Sequence, residues 1–307
     1  MNPAVQRALV PLAPLFARCQ KQVLGLRLRK TLGRHMQDPP RSFHDKLFWM
    51  SVNTDTGLWT ALADKVKVRD YVARRCGDDV LAQLYATYPT AQAVDFEELP
   101  ERFVIKTNNG CASNCIVRSK STVDLEAVRT VLAQWLAFPY GELTGQMHYA
   151  RIKPLILAEE LLCQREEPDS VLSDYKFYCF GGDVRYCYVV SDRQFDTVHS
   201  HKRMLYDMDW NALPQVFKEG VPIGYSEKPA CLEEMARVAG RLSQGIPFVR
   251  VDLYAVNGTV KFSEMTFLPG MHHGYTESFQ EELGQEISLP PAGAPVASLF
   301  SGGVGNA

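Results

Sequence analysis

Apolar residues recur at helical spacing in two long stretches. In LEAVRTVLAQWLAF (125–138), Leu125, Val128, Val131, Leu132, Trp135 and Leu136 share one stripe. In LEEMARVAGRLSQG (232–245), Leu232, Met235, Val238, Ala239 and Leu242 do the same, and Gly245 closes the segment. Repeats at i, i+3, i+4 and i+7 predict helices with one buried face. The stretch LFWMSVNTDTGLWTALADKVKVRDYVARRCG reads as further helices ended by Gly77. Elsewhere the apolar runs are short and bounded by turn residues. RFVIK (102–106), after the Leu99-Pro100 breaker, reads as a strand; TNNGCASN is a turn-rich loop; CIVR (115–118) is the returning strand. PLILAEELL (154–162) reads as a buried strand running into a connector. DYKFYCFGGDVRYCYVVSDR (174–193) predicts a hairpin turned at Gly181-Gly182, and VRVDLYAVNGTVKFSEMTFLPG (249–270) another turned at Asn257-Gly258. Helices interspersed with antiparallel hairpins give an α+β, or mixed α/β, class.

The last hairpin carries charges where a buried strand should be apolar. Side chains alternate faces along a strand. Phe248, Arg250, Asp252 and Tyr254 therefore share one face, and Val249, Val251 and Leu253 the other, which should meet the core. Arg250 and Asp252 then line a cleft. On the second strand Phe262, Glu264 and Thr266 share a face opposite Ser263, Met265 and Phe267. A two-residue Asn257-Gly258 loop would put Asp252 opposite Ser263 and send Glu264 to the other face. A three-residue loop that includes Thr259 would put Asp252 opposite Glu264 and Arg250 opposite Thr266. Two carboxylates facing each other repel, and such a pair persists most easily around a hard divalent cation with phosphate oxygens nearby. A metal-binding reading thus requires the three-residue loop, and a surface-charge reading keeps the two-residue turn.

Composition adds bounds rather than chemistry. The 307 residues are 46% hydrophobic and 22% charged, enough for two or three packed subdomains. A net charge of −2 gives no electrostatic case for a nucleic-acid partner. The eight cysteines include no Cys-x-x-Cys pair and no zinc spacing, so they read as free thiols of a reducing cytoplasm. No run has the length of a transmembrane helix. Residues 1–37 carry Arg7, Arg18, Lys21, Arg27, Arg29, Lys30 and Arg34 and no acid, with Leu9, Val10, Leu12, Leu15 and Phe16 between them. Arg7, Pro11 and Pro14 break any signal-peptide apolar run. The segment reads either as a basic amphipathic stretch on the inner face of an anionic membrane or as a helix docked on the domain or partly disordered. The Pro-, Gly- and Ala-rich end predicts a disordered tail over 288–307.

Several stretches occur together in a recognisable order: SFHDKLFWM, LADKVKVRDYV, LPERFVIKTNNGCASN, LILAEELL, DYKFYCFGGDVRY, HKRMLYDMDWN, PFVRVDLYAVNG and SEMTFLPG. As an ordered set over roughly residues 41–270 they resemble the TupA-like ATP-grasp proteins of bacterial cell-surface polysaccharide gene clusters. The last block also resembles the ending of the D-alanine–D-alanine ligases, where an Asn fills the place of Thr266. The resemblance implies an ATP-grasp fold: a basic helical extension (1–40), an N-terminal α/β part (41–100), a grasp lid (101–163) and a C-terminal antiparallel-sheet part (164–287) for ATP and Mg²⁺.

The resemblance also implies roles. Lys106 and Lys65 would meet the ATP phosphates. Backbone groups around Glu159, Glu160, Leu161 and Leu162 would read the adenine edge, with Leu162 packed on the ring. Asp174 would hold the ribose, and Lys176 a phosphate or the acceptor. Asp252, Glu264 and Thr266 would hold Mg²⁺, and Arg250 would neutralise the transferred phosphoryl group. Gly270, after Pro269, would lie at the acyl-phosphate centre. His201, Lys202 and Arg203, in the basic run HSHKR, are acceptor-side candidates; the alternative is a surface patch. His272 and His273 read as acceptor-side or structural. The family's glycine-rich lid loop is only partly kept, since Cys111, Ala112 and Ser113 follow Gly110. The implied activity is a carboxylate–amine ligase working through an acyl-phosphate, its carboxylate a uronic acid, amino acid or peptide component of a surface polysaccharide. Two other readings stay open: a glycosyl or phosphoryl transferase of the same pathway, and a non-catalytic nucleotide-binding scaffold.

Overall fold

Two antiparallel sheets organise the computed structural model, which describes residues 10–167, 169, 171–191, 202–270 and 274–296. The chain enters through α1 (Ala13–Arg18) and α2 (Gln20–Leu32). Leu24 and Leu28 of α2 are buried in the main core. Arg27 Nη1 donates to the Thr144 carbonyl at 2.6 Å, and Gln20 Nε2 to that of Gly145 at 3.0 Å. The basic segment is thus docked along one face, while Leu12, Leu15 and Leu26 stay exposed. Next come α3 (Phe43–Asn53), α4 (Gly57–Ala63) and α5 (Val68–Cys76), the last ended by Gly77 at φ 93°. All eight cysteines are free thiols.

The smaller sheet runs β1-β4-β2-β3, with β1 Leu84–Tyr88, β2 Phe103–Thr107, β3 Asn114–Val117 and β4 Ile156–Glu160. Between β3 and β4 lie α6 (Leu125–Ala137), α7 (Tyr140–Thr144) and α8 (Met147–Ala150). Asp124 caps α6 by accepting from the amides of Glu126 and Ala127, each at 3.0 Å. Val128 and Leu132 of α6 pack in one cluster with Phe103, Ile105 and Ile156. The strand β1 is a correction to the expected division at residue 100. Its partner is β4 in the lid sheet, whereas α3–α5 belong to the main core, so segment 41–100 is shared between two layers. Most of β1 is only half-buried, which leaves no clean alternation to read.

The larger sheet runs β7-β6-β5-β8-β9, with β5 Asp174–Phe180, β6 Asp183–Ser191, β7 Lys202–Asp207, β8 Val249–Val256 and β9 Thr259–Thr266. Helix α9 (Leu232–Ser243) covers β5, β6 and β8, and α10 (Glu277–Gln285) packs on α3. Val249, Val251 and Leu253 are fully buried, as the alternation requires.

The β8–β9 hairpin corrects one expectation and keeps its consequence. The three-residue loop is not formed. Val256 pairs directly with Thr259, and Asn257 and Gly258 both have positive φ (51° and 78°), the type I′ geometry that matches strand twist. Yet Asp252 does face Glu264, and Arg250 faces Thr266. The compensating residue is Ser263. Leu253 pairs with Phe262, so Ser263 is the extra residue of a β-bulge that shifts the rest of β9 by one.

The expected tail also begins too early. The Asp55 amide donates to the Ala294 carbonyl at 2.9 Å, the Val296 amide donates to the Asp55 carbonyl at 3.0 Å, and Val296 is buried. Residues 288–296 are fastened by backbone bonds, which a composition rule does not see.

Two buried histidines make the fold sensitive to acid. His44 (α3) shares its Nδ1 with Gln280 Oε1 at 2.7 Å, and His148 (α8) lies edge-on to Trp59. Burial pushes their pKa values down to about 4 and about 3, against the favourable Gln280 and Asp45 at His44 and with Arg151 adding repulsion at His148. The unfolded chain protonates both near pH 6.5, so stability is full above that value and falls as pH drops below it. Urea unfolding should lose on the order of 2 kcal/mol per histidine between pH 7 and pH 5. His148→Phe should remove its share of that slope.

Candidate active site

The charged face of β8 is buried, not exposed. Arg250 is 7% and Asp252 1% exposed. Their neighbours follow from register: Asp252 pairs with Lys176 of β5 on one side and with Glu264 of β9 on the other, while Tyr178, Arg250 and Thr266 form the adjacent row. Lys176 Nζ donates to Asp252 Oδ2 at 2.6 Å. Arg250 grips the same carboxylate with Nε on Oδ1 (2.7 Å) and Nη2 on Oδ2 (2.6 Å), a forked contact. Arg250 Nη2 also reaches Thr266 Oγ1 at 3.1 Å and Glu264 Oε1 at 3.5 Å. Asp174 lies 3.5 Å from Lys176 Nζ. Burial alone would raise the Asp252 carboxyl, but Arg250 and Lys176 outweigh it and hold it below the usual carboxylate range. Burial likewise opposes the charge on Arg250, and Asp252 reverses that, raising its pKa above the ordinary guanidinium value.

Of this cluster, Asp174 lines a cleft between the two sheets; Lys176, Arg250, Asp252, Glu264 and Thr266 lie behind it, outside the lining. Lys106 and Val104 of β2 form one wall, the connector Glu159–Leu162 the back, and Asp174, Tyr254 and Phe262 the other wall. Lys106 is ion-paired to Glu159, and Arg69 Nη1 stands 4.0 Å from the same carboxylate. Glu160 accepts from the Gln83 amide at 3.1 Å, tying the connector to the chain before β1. The cleft thus brings together six expected residues: Lys106, Glu159, Glu160, Leu161, Leu162 and Asp174.

Lys65 is placed differently. Its Nζ donates to the Gly110 carbonyl at 2.5 Å, so it touches the lid loop. The loop is fixed from below by Asn108, which is fully buried. Asn108 Nδ2 donates to Asp64 Oδ1 (2.9 Å) and to the Lys153 carbonyl (3.1 Å), and its Oδ1 accepts from the Leu155 amide (2.8 Å). Ala112 takes a left-handed backbone (φ 56°) in this loop, a conformation that glycine adopts without cost. Asn108 and Arg69 were not among the expected site residues. The Asn-Asn-Gly turn signal pointed at the loop but not at the buried member.

Lys202 and Arg203 lie on β7 at the sheet edge; Arg203, Val190 and Asp174 form one row across three strands. Gly270 is exposed beyond β9. His201, His272 and His273 lie outside the described residues. Among the described residues no cluster of three or more His, Cys, Asp or Glu has metal-binding geometry. The donor set still fits Mg²⁺, which is commonly held by one or two carboxylates plus phosphate oxygens. Among the described residues, Glu264 is engaged through Oε1 only, and Asp252 Oδ1 receives a single donor, leaving it one lone pair.

A family model described as TupA-like ATPgrasp matches residues 45–288. No curated protein sequence matches the chain. Among solved structures, a D-alanine–D-alanine ligase from Bacillus anthracis is 17% identical with a TM-score of 0.41, covering 73% of this chain and 63% of that one. The chain therefore spans less than two thirds of that ligase. A D-alanine–D-alanine ligase from Helicobacter pylori is 12% identical with a TM-score of 0.41, covering 82% and 68%. The ATP-grasp ligase PsnB, complexed with a phosphomimetic variant of its minimal precursor, Mg and ADP, is 12% identical with a TM-score of 0.41, covering 79% and 65%.

Arg250 and Glu264 should separate cleanly in stability. Arg250→Ala leaves Asp252 buried with one cation fewer and should cost about 3–5 kcal/mol in urea unfolding. Glu264→Gln keeps the shape of a partly exposed side chain and should cost less than about 1 kcal/mol.

Proposed function

The chain belongs to the TupA-like ATP-grasp family, and on that premise we propose that it is an ATP-dependent carboxylate–amine ligase. The observation that carries this reading is the pairing of Asp252 with Glu264 beside Arg250 and Lys176, a cluster joined to the cleft through Asp174. In the proposed reaction the substrate carboxylate attacks the γ-phosphorus of ATP, forming an acyl-phosphate and releasing ADP. An amine then attacks the acyl carbon, phosphate leaves, and the amine loses its proton as the amide forms.

The roles follow from what each side chain can do. The connector Glu159–Leu162 offers backbone groups and apolar side chains to the base, and Asp174 offers a carboxylate to the ribose hydroxyls. Lys106, with Glu159 beside it, supplies a point charge to the phosphates. Lys65 sits on the Gly110 carbonyl and would reach the phosphates on the lid side. Asp252, Glu264 and Thr266 would hold Mg²⁺, which supplies Lewis-acid charge on the phosphate oxygens. Arg250, already fixed by Asp252 and Thr266, is preorganised to meet developing charge on the transferred phosphoryl group. Lys176 shares Asp252 and orients the acceptor or a phosphate. No enzyme nucleophile is required, since positioning and charge carry the rate.

We take the carboxylate to be a uronic acid, amino acid or peptide component of a cell-surface polysaccharide, used on the cytoplasmic side. No described helix is long and apolar enough to cross a membrane. The exposed Leu12, Leu15 and Leu26, with exposed Arg18, Lys21, Arg29 and Lys30, would let the protein rest on an anionic bilayer carrying such an acceptor.

Screening uronic acids and amino acids with Mg-ATP should reveal acceptor-dependent ADP release, and Glu264→Ala should lower it by at least about a hundredfold. Activity retained in that variant sinks the metal assignment. Flotation with phosphatidylglycerol vesicles should recover the protein, and Leu26→Asp should weaken recovery; equal recovery of both sinks the membrane reading.

A further inference from the structure

The lid loop has a second hollow behind it. Lys106 of β2 points into the cleft, and Thr107, the next residue, points to the opposite face of the sheet. There a hollow opens between the loop and the end of α6.

Its lining has a definite chemistry. Trp135, Phe138 and Tyr140 form an aromatic wall, and Thr107, Asn109 and Ser113 line the loop side, Thr107 Oγ1 donating to Ser113 Oγ at 2.8 Å. Among the described residues no charged side chain lines it, so a phosphate, carboxylate or ammonium group would find no counter-ion there. Asn109 is 8% exposed, and its buried Oδ1 has no hydrogen-bond donor among the described residues. A buried acceptor left without a donor is unfavourable, so the site suits a ligand that brings an O–H or N–H. Aromatic faces are negatively polarised and attract the positive edge of C–H groups. A saturated ring bearing hydroxyls satisfies all three conditions: its C–H face meets the aromatic wall, its hydroxyls reach Asn109, and it is neutral. A purely apolar ring would leave Asn109 unsatisfied.

The cavity adjoins the reaction end. Cys111 lines it, and the Cys111 thiol lies 3.6 Å from the Tyr149 hydroxyl. Tyr149 in turn feels the charge of Glu264. One loop therefore separates the phosphate cleft from this hollow.

We propose that the cavity behind the lid loop binds a neutral sugar ring belonging to the acceptor. The word acceptor rests on the ligase reading of the cleft; the sugar binding does not. The test is saturation-transfer NMR on the full chain without nucleotide, using glucose, galactose and N-acetylglucosamine as probes. At least one should show saturation of its ring protons. Trp135→Ala and Asn109→Leu should each weaken that binding about fivefold, the scale of one lost hydrogen bond or stacking contact. Asn109→Leu removes an acceptor that has no partner in the free protein, so its melting temperature should hold even if Trp135→Ala proves unstable. No saturation of any probe, unchanged saturation in a folded Asn109→Leu, or a stronger response to phenol than to every sugar overturns the proposal. Sugar saturation without acceptor-dependent ADP release would sink the ligase reading and leave this site standing.

Discussion

One buried carboxylate holds the larger sheet's working strands in a fixed relation. Asp252 accepts from Arg250 on its own strand and from Lys176 on β5, and through Arg250 it is linked to Glu264 and Thr266 on β9. Taking a carboxylate out of water is costly, and the cost is met only when its oxygens are paired. Three strands therefore cannot shift past one another without exposing an uncompensated charge. The same five ionisable groups (Asp174, Lys176, Arg250, Asp252 and Glu264) comprise three anions and two cations. The surplus is negative, and Glu264 is the most exposed of the five.

That arrangement depends on a residue with no chemistry of its own. An Asn-Gly turn enforces two-residue pairing because both central residues take positive φ, and that pairing alone would send Glu264 to the wrong face. Ser263 absorbs the mismatch as a bulge. Turn and site were thus free to satisfy separate demands: tight closure at one end of the hairpin, face-to-face carboxylates at the other.

Much of this was legible in the sequence because it rested on periodicity. Helix α6 and helix α9 follow their apolar stripes, and the hairpins turn at Gly181-Gly182 and Asn257-Gly258, the pairs that marked them. Asp252 facing Glu264 was also reachable, since chemistry demanded it, but the route was misread. A bulge has no strong local signature, whereas lengthening the loop seemed the simplest repair. The strand β1 escaped because it is half-buried along most of its length, and the 288–296 segment because its anchors are backbone atoms. Asn108 and Arg69 escaped for another reason. Their partners, Asp64, Lys153 and Leu155 for one and Glu159 for the other, are distant in sequence and meet only in the folded chain.

The lid loop shows how the two layers are made to act together. Asn108 fastens the loop to the Asp64 corner of the helical layer, and Lys65, one residue on, holds the loop's Gly110 carbonyl. Between these ties and β3 the chain passes through Ala112 in a left-handed conformation. An alanine there costs roughly 1 kcal/mol more than glycine would, yet its methyl narrows the range of backbone states open to the free loop. A loop that keeps only Gly110 of a glycine-rich pattern is therefore biased toward one shape before any phosphate arrives. That bias suits a loop with two faces, one toward the charged cleft and the other toward an aromatic hollow. Were the loop free to collapse onto either side, both cavities would lose a wall.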